Sequence, residues 1–357
     1  MWFKMNNIGV SVPKERKRYL DALRGVAMLM VVLVHVEVFS FFDFTHTTVL
    51  MKILSAIHMP LFFFISGLCI YNPEKKYGIN KVKNDILRLI IPAILVGLIY
   101  TSFKVKESYI VFFADPMKMG YWFTISLFEV LLVYYVVKNL ADANSRKFMM
   151  LLWIIAGTLY GLKLPFKMYE GLEVVGNYLC LHQTFNFFVF FAAGITMAKY
   201  RASIELLAAN KWLSSTLFVL FVVASILFLK ILPDYMCAST VFVVLDTLGE
   251  SFVGLIGVFL LYFTFYKSKD VFKQTTVLTN GLVVIGENTL AIYLIHYLIL
   301  PTLPQVGNYL IHYPGVLMEL ILGLLLTLVI VFCGVLINKV LIVCSPILGQ
   351  LILGNKR

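Results

Sequence analysis

The chain has little charge. Only 14% of its 357 residues are Asp, Glu, Lys or Arg, against roughly a quarter in a typical soluble domain. It has no low-complexity tract and no stretch that reads as a separate soluble domain, which argues against a secreted or cytosolic enzyme. Its five cysteines (Cys69, Cys180, Cys237, Cys333 and Cys344) are scattered without a Cys-x-x-Cys spacing and read as small buried hydrophobes. A cleavable signal peptide is not expected, because residues 1–18 are polar and basic and the first apolar run is long enough to span a bilayer.

What the chain does have is apolar sequence, 61% of it. A spanning helix takes about 20 apolar residues. Apolar runs between charged or Pro/Gly-rich breaks fall at about 20–42, 50–71, 86–103, 121–137, 148–162, 178–198, 213–232, 239–265, 280–300 and 315–338. The expected fold is therefore an all-α integral membrane protein of about ten transmembrane helices, one domain over residues 1–357.

The charges that remain are distributed unevenly. Of 30 Lys and Arg, 23 fall on the side of the termini and seven (Lys52, Lys104, Lys106, Lys118, Lys163, Lys167, Lys230) on the other. Basic residues concentrate in cytoplasmic loops, so both termini are expected in the cytoplasm. The net charge of +11 thus reflects topology and contact with the lipid bilayer, with no nucleic-acid partner, since no basic face with interleaved aromatics is present. No internal repeat is evident, which counts modestly against a transporter built from two related halves.

Polar residues inside such spans need a partner, a cavity or a function. The first span carries Asp21, Arg24, His35 and Glu37. Arg24 and His35 are eleven residues apart, three helical turns plus about 20°, so they share a face and lie about 16 Å apart along it. Asp21 can pair with Arg24 from i,i+3, while Glu37 points away from His35. Other spans bring His58, Glu129, His182 with Asn186, and His296 to a depth similar to that of His35. Trp122, Ser126 and Glu129 line one helix face. Arg24, Arg88, Lys81 and Lys83 ring the opposite, inner mouth. Taken singly, His58, His182 or His296 reads as a hydrogen-bonded structural group, and Tyr and Trp near span ends as interface anchors.

The segment Arg18-Tyr19-Leu20-Asp21-Ala22-Leu23-Arg24-Gly25-Val26-Ala27, with His35 eleven residues beyond Arg24, resembles the opening signature of the membrane-bound acyltransferase 3 family. Met59-Pro60-Leu61-Phe62-Phe63-Phe64-Ile65-Ser66-Gly67 resembles its second-helix motif, Arg88-Leu89-Ile90-Ile91-Pro92 the end of its third-helix basic motif, and Tyr121-Trp122-Phe123 its fourth-helix start. Phe190-Phe191-Ala192-Ala193-Gly194 and Tyr293-Leu294-Ile295-His296 are similar to later family patterns, so the resemblance runs over about residues 16–300.

The resemblance implies an O-acyltransferase that takes an acyl group, commonly acetyl, from cytoplasmic acyl-CoA to a carbohydrate hydroxyl, in a bacterial plasma membrane. It implies roles for Arg24, His35 and Arg88. One departure is Asp85, which occupies the place of the first arginine in the family's Arg-x-x-Arg pattern, so Lys81 or Lys83 is expected to supply that charge. On this reading acyl-CoA is the donor, with its phosphates at Arg24, Arg88, Lys81 and Lys83. A neutral His35 acts as general base, Glu129 orients it, and His58, Trp122, Ser126, His182 and His296 line the substrate tunnel. The partners are acyl-CoA and a carbohydrate or lipid-linked glycan acceptor. No bound cofactor or metal is expected, since the histidines lack tight ligand spacing on one helix. The alternatives are a glycan or solute transporter (flippase), with the same polar groups lining its path, and a non-catalytic membrane scaffold.

Overall fold

In the computed structural model, the described residues are 17–42, 48–231 and 240–354, and among them there is no strand. Residues 1–16 and 355–357, which hold part of the basic excess, lie outside them, as does Cys237. The long helices are α1 (Arg18–Phe41), α2 (Val49–Ile70), α3 (Ile79–Val105), α4 (Trp122–Leu140), α5 (Arg146–Met168) and α6 (Leu181–Lys199). They are followed by α7 (Arg201–Ala209), α8 (Leu213–Leu229), α9 (Thr240–Lys267), α10 (Val277–Glu287), α11 (Thr289–Ile299), α12 (Pro304–His312), α13 (Val316–Cys344) and α14 (Pro346–Leu353). Among the described residues, seven helices are long and apolar enough to cross a bilayer alone, and two sharply bent pairs raise the number to as many as nine if each pair is one span. This is a multi-pass membrane architecture. The short fifth run of the sequence becomes α5, which is not among those helices.

Several helices start where a side chain satisfies a free N–H group of the first turn. Thr48 accepts from the Met51 N–H at 3.2 Å to open α2, Ser145 accepts from Phe148 at 3.0 Å to open α5, and Thr276 does the same for α10 through Thr279. Lipid tails offer no hydrophobic drive for helices to associate, so close backbone approach must hold them together. Gly67 of α2 lies against the Phe191 carbonyl of α6, and Gly194 of α6 lies against the Phe64 carbonyl of α2. A methyl group at either position would enter the facing backbone. In the same way Gly25 of α1 meets the Leu282 carbonyl and Gly286 of α10 meets the Asp21 carbonyl. Pro60 inside α2 donates no hydrogen bond to Ala56, and the Ala56 carbonyl faces Gly254 of α9.

The run at 280–300 reads from sequence as one straight crossing, and here the structure differs. It is two helices, α10 and α11, bent by 83°. The break is fixed by Asn288, whose Nδ2 donates to Val284 O at 2.7 Å and whose Oδ1 accepts from Asn338 Nδ2 of α13 at 2.6 Å. A second pair, α7 and α8, is bent by 89°. Two broken helix pairs are thus present among the described residues. The first and third helices also change pitch: both contain widened π-type turns, at Glu37–Phe41 just past His35 and at Ile86–Ile90 around Arg88. Such turns recur at functional sites.

Candidate functional site

The bend at Asn288 aims the short α11 at the end of α1 that carries His35. His35 Nδ1 lies 2.9 Å from His296 Nε2, and the two rings stack with centroids 5.0 Å apart. On the far side of His296, Nδ1 is 3.1 Å from the Ile292 carbonyl. A carbonyl can only accept, so the His296 proton sits on Nδ1 and its Nε2 is bare. His35 must therefore donate from Nδ1, which leaves the lone pair of His35 on Nε2. The Tyr297 hydroxyl, 3.0 Å away, donates to that lone pair. One backbone carbonyl thereby sets the tautomer of two histidines in series. His35 itself is half-buried, whereas His296 is fully buried.

An aromatic cage holds this arrangement. The Tyr297 ring has His296, Tyr121, Phe39 and Tyr100 around it, at centroid distances of 4.1, 5.4, 5.5 and 5.7 Å. Beneath it runs the turn Lys118-Met119-Gly120, three consecutive residues with left-handed φ (48°, 51° and 97°). A side chain at Gly120 would enter the Tyr297 ring, and the Gly120 carbonyl accepts from Tyr293 OH at 2.7 Å. Lys118 is buried and fastens the turn by donating to the carbonyls of Phe113, Asp115 and Asn177 at 3.0, 2.7 and 2.5 Å. Burial pushes its ammonium below the usual lysine range, against the opposing pull of Cys180, Asp115 and Glu129.

Glu129 has other hydrogen-bond partners. Its Oε2 accepts from Thr184 Oγ1 at 2.5 Å, and Thr184 in turn is 2.8 Å from Ser126 Oγ. The Thr184 proton goes to the carboxylate, so Ser126 donates to Thr184, and a two-hydroxyl chain ends on Glu129. The neighbour that orients His35 is His296, in place of the expected Glu129: depth along a helix said nothing about lateral position. His58 donates its Nδ1–H to Leu54 O at 2.7 Å and is close enough to His35 to interact electrostatically with it. Trp122 stacks on Phe187 at 5.4 Å. His182 packs edge-on to Phe166 and against Gly176, and Asn186 accepts from Lys163 at 2.8 Å. The partners that surround the His35 ring are His296, Tyr297 and Phe39.

At the other end of α1, Arg24 donates to Asp21 at 3.0 Å and lies 3.2 Å from the sulfur of Cys69. Cys69 and Cys344 are exposed, and of the others described only Cys180 is fully buried, so the reading as buried hydrophobes fails for those two. Asp85 is buried. It takes Lys81 in an ion pair and accepts from Tyr135 OH at 2.7 Å. The acid in the Arg-x-x-Arg position therefore holds Lys81, while Lys83 and Arg88 are exposed.

Sequence reasoning gave no role to Tyr297, Tyr293, Thr184 or Gly120. Tyr297 follows His296 directly and Tyr293 precedes Tyr297 by one helical turn, a spacing that would have placed both on one face. In Gly120 the signal was a lone glycine just before a span.

A family model described as an acyltransferase domain matches residues 17–339. No curated protein matches the chain, and no solved structure does.

Proposed function

The chain belongs to the acyltransferase 3 family, and from that premise we propose that it moves an acyl group, acetyl in the simplest case, from acyl-CoA to a hydroxyl of a cell-envelope or exported carbohydrate or lipid-linked glycan. The observation that carries this reading is the bare Nε2 of His35, held in that tautomer by His296 and already engaged by a hydroxyl hydrogen bond. That is the geometry a general base needs towards an attacking alcohol.

In this reading the helices cross a bacterial plasma membrane ten times, with both termini and the Arg24 end of α1 in the cytoplasm. The phosphates of coenzyme A rest on Arg88, Lys83 and Arg24, with Lys81 held beside them by Asp85. The pantetheine arm covers the distance of about 16 Å from Arg24 to His35. The acceptor enters from the His35 end past His58, Trp122, Ser126, Glu129 and His182. His35 takes the acceptor proton as its oxygen adds to the thioester carbonyl. The C–S bond then breaks, and the thiolate recovers the proton from His35.

The test uses purified protein in nanodiscs, acetyl-CoA labelled in the acetyl group, and extracted envelope glycans. Label in glycan with the parent chain and not with an equally folded His35→Ala variant supports the reading; equal labelling by both removes His35 from the chemistry. The transporter reading gains from the bent pair α10–α11 (83°), because broken helices line the paths of many transporters. A transporter would keep its function in His35→Gln.

A further inference from the structure

We propose that the Tyr297 hydroxyl is a catalytic group, the donor that stabilises the oxyanion when the acceptor adds to the thioester; this rests on the acyltransferase reading above and on His35 as its base. Three observations lead to it. The hydroxyl is 3.0 Å from His35 Nε2, so any acceptor oxygen held by Nε2 also lies within reach of the tyrosine. The ring cannot swing aside, because His296, Tyr121, Phe39 and Tyr100 enclose it at 4.1–5.7 Å and Gly120 closes its edge. Only its hydrogen can turn, about the C–O bond. The neighbouring hydroxyls of Tyr121 and Tyr293 are already committed to the carbonyls of Leu294, at 3.2 Å, and Gly120, at 2.7 Å.

The chemistry then dictates where that hydrogen goes. In the resting site it points at the Nε2 lone pair. The acceptor hydroxyl takes that lone pair on binding, so the tyrosine hydrogen turns to the thioester carbonyl oxygen; as the acceptor oxygen forms its bond to the thioester carbon, its proton passes to Nε2. The carbonyl oxygen becomes an oxyanion in the same step. The tyrosine has exchanged its resting acceptor for an oxygen that accepts more strongly as its charge grows; a buried hydroxyl left without an acceptor would oppose the step. When the oxyanion collapses, the C–S bond breaks, the thiolate takes the proton from Nε2, and the tyrosine hydrogen returns to His35. Tyr297 gives up no proton at any stage. Its contribution is a fixed donor that is better matched to the intermediate than to the ground state.

The experiment compares the parent, Tyr297→Phe and His35→Ala in nanodiscs, with labelled acetyl-CoA and the glycan extract, and records coenzyme A binding and thermal unfolding for each. Tyr297→Phe keeps the ring and its cage. It is expected to lower kcat by about 10²–10³-fold with KM and coenzyme A affinity unchanged. A rate within a few-fold of the parent, with His35→Ala inactive, overturns the role of Tyr297 and leaves the base intact. Equal transfer by His35→Ala removes His35 from the chemistry and overturns this proposal with it, while no transfer by the parent brings down the acyltransferase reading as well. Should Tyr297→Phe fail to fold, 3,5-difluorotyrosine at position 297 keeps the hydroxyl and makes it a stronger donor. A changed kcat at constant KM then supports the role, and an unchanged kcat overturns it.

Discussion

His35 Nδ1 stands 2.9 Å from His296 Nε2, and the proton between them belongs to His35. The second histidine does for the first what a carboxylate does in many base-catalysed sites, but without adding a charge. It fixes which nitrogen is free, and it leaves the pair neutral within an apolar surrounding.

His296→Phe retains the ring and removes the acceptor. His35 is then free to flip or change tautomer, and transfer is expected to fall roughly 10²-fold, the lower range of what a positioned base supplies. Label-transfer rates at saturating acetyl-CoA measure it. Parental turnover in this variant would show that His35 does not need its neighbour.

Glu129→Gln keeps a side-chain oxygen for Thr184 to donate to. With Glu129 joined to Thr184 and not to His35, this change is expected to lower kcat by less than His296→Phe does. A larger loss in Glu129→Gln would give the carboxylate a direct part in the reaction.

Arg88→Ala removes an exposed cation from the proposed donor mouth. A charge-assisted hydrogen bond contributes about 1.5–3 kcal/mol, so KM for acetyl-CoA should rise roughly 10- to 100-fold with kcat changed only a few-fold. The effect should shrink as salt is raised. A fall in kcat at unchanged KM would move Arg88 away from the donor.

Gly120→Ala forces a methyl group into the Tyr297 ring at a left-handed φ of 97°. The cost is expected to be about 1–3 kcal/mol of stability, and transfer should decline with it because the cage shifts. Thermal unfolding and kcat, measured on the same preparation, test both halves. An unchanged kcat would mean that the turn and the base are independent.

Lys118 supplies a pH dependence. Burial holds its folded-state value below the ordinary lysine value of about 10.4. Below the lowered value the folded chain bears the full penalty of a charged, desolvated ammonium, and that penalty is relieved as pH rises through it towards 10.4. Stability gained from this group should therefore increase with alkaline pH, and Lys118→Met should lack the increment. Superimposable melting curves for the two proteins from neutral to alkaline pH would contradict this.

The apolar runs located the long helices because a bilayer span is a local property, set by about 20 consecutive residues. The same holds for Arg24 and His35, whose shared face follows from helical spacing alone. The bend at 280–300 was not legible, since it depends on Asn338, fifty residues later, reaching Asn288. The pairing of His35 with His296 is equally non-local: sequence placed the two at one depth and could not bring α11 beside α1. Asp85 and Lys81 were legible in principle as an i,i+4 pair. The departure from an arginine pattern drew the reading towards a missing charge and away from a partner already present.

The bend between α10 and α11 has an electrical consequence. α11 has 11 residues and rises only about 16 Å, against a hydrocarbon thickness of about 30 Å. Its arriving chain turns aside at Asn288 and does not continue along the same axis. A segment this short does not by itself cross the hydrocarbon layer. On the proposed function, a polyanionic donor at one end of α1 and a neutral acceptor at the other meet across part of the membrane voltage. Transfer by the protein in sealed vesicles should then respond to an imposed diffusion potential, while the same protein in nanodiscs, which sustain none, should not.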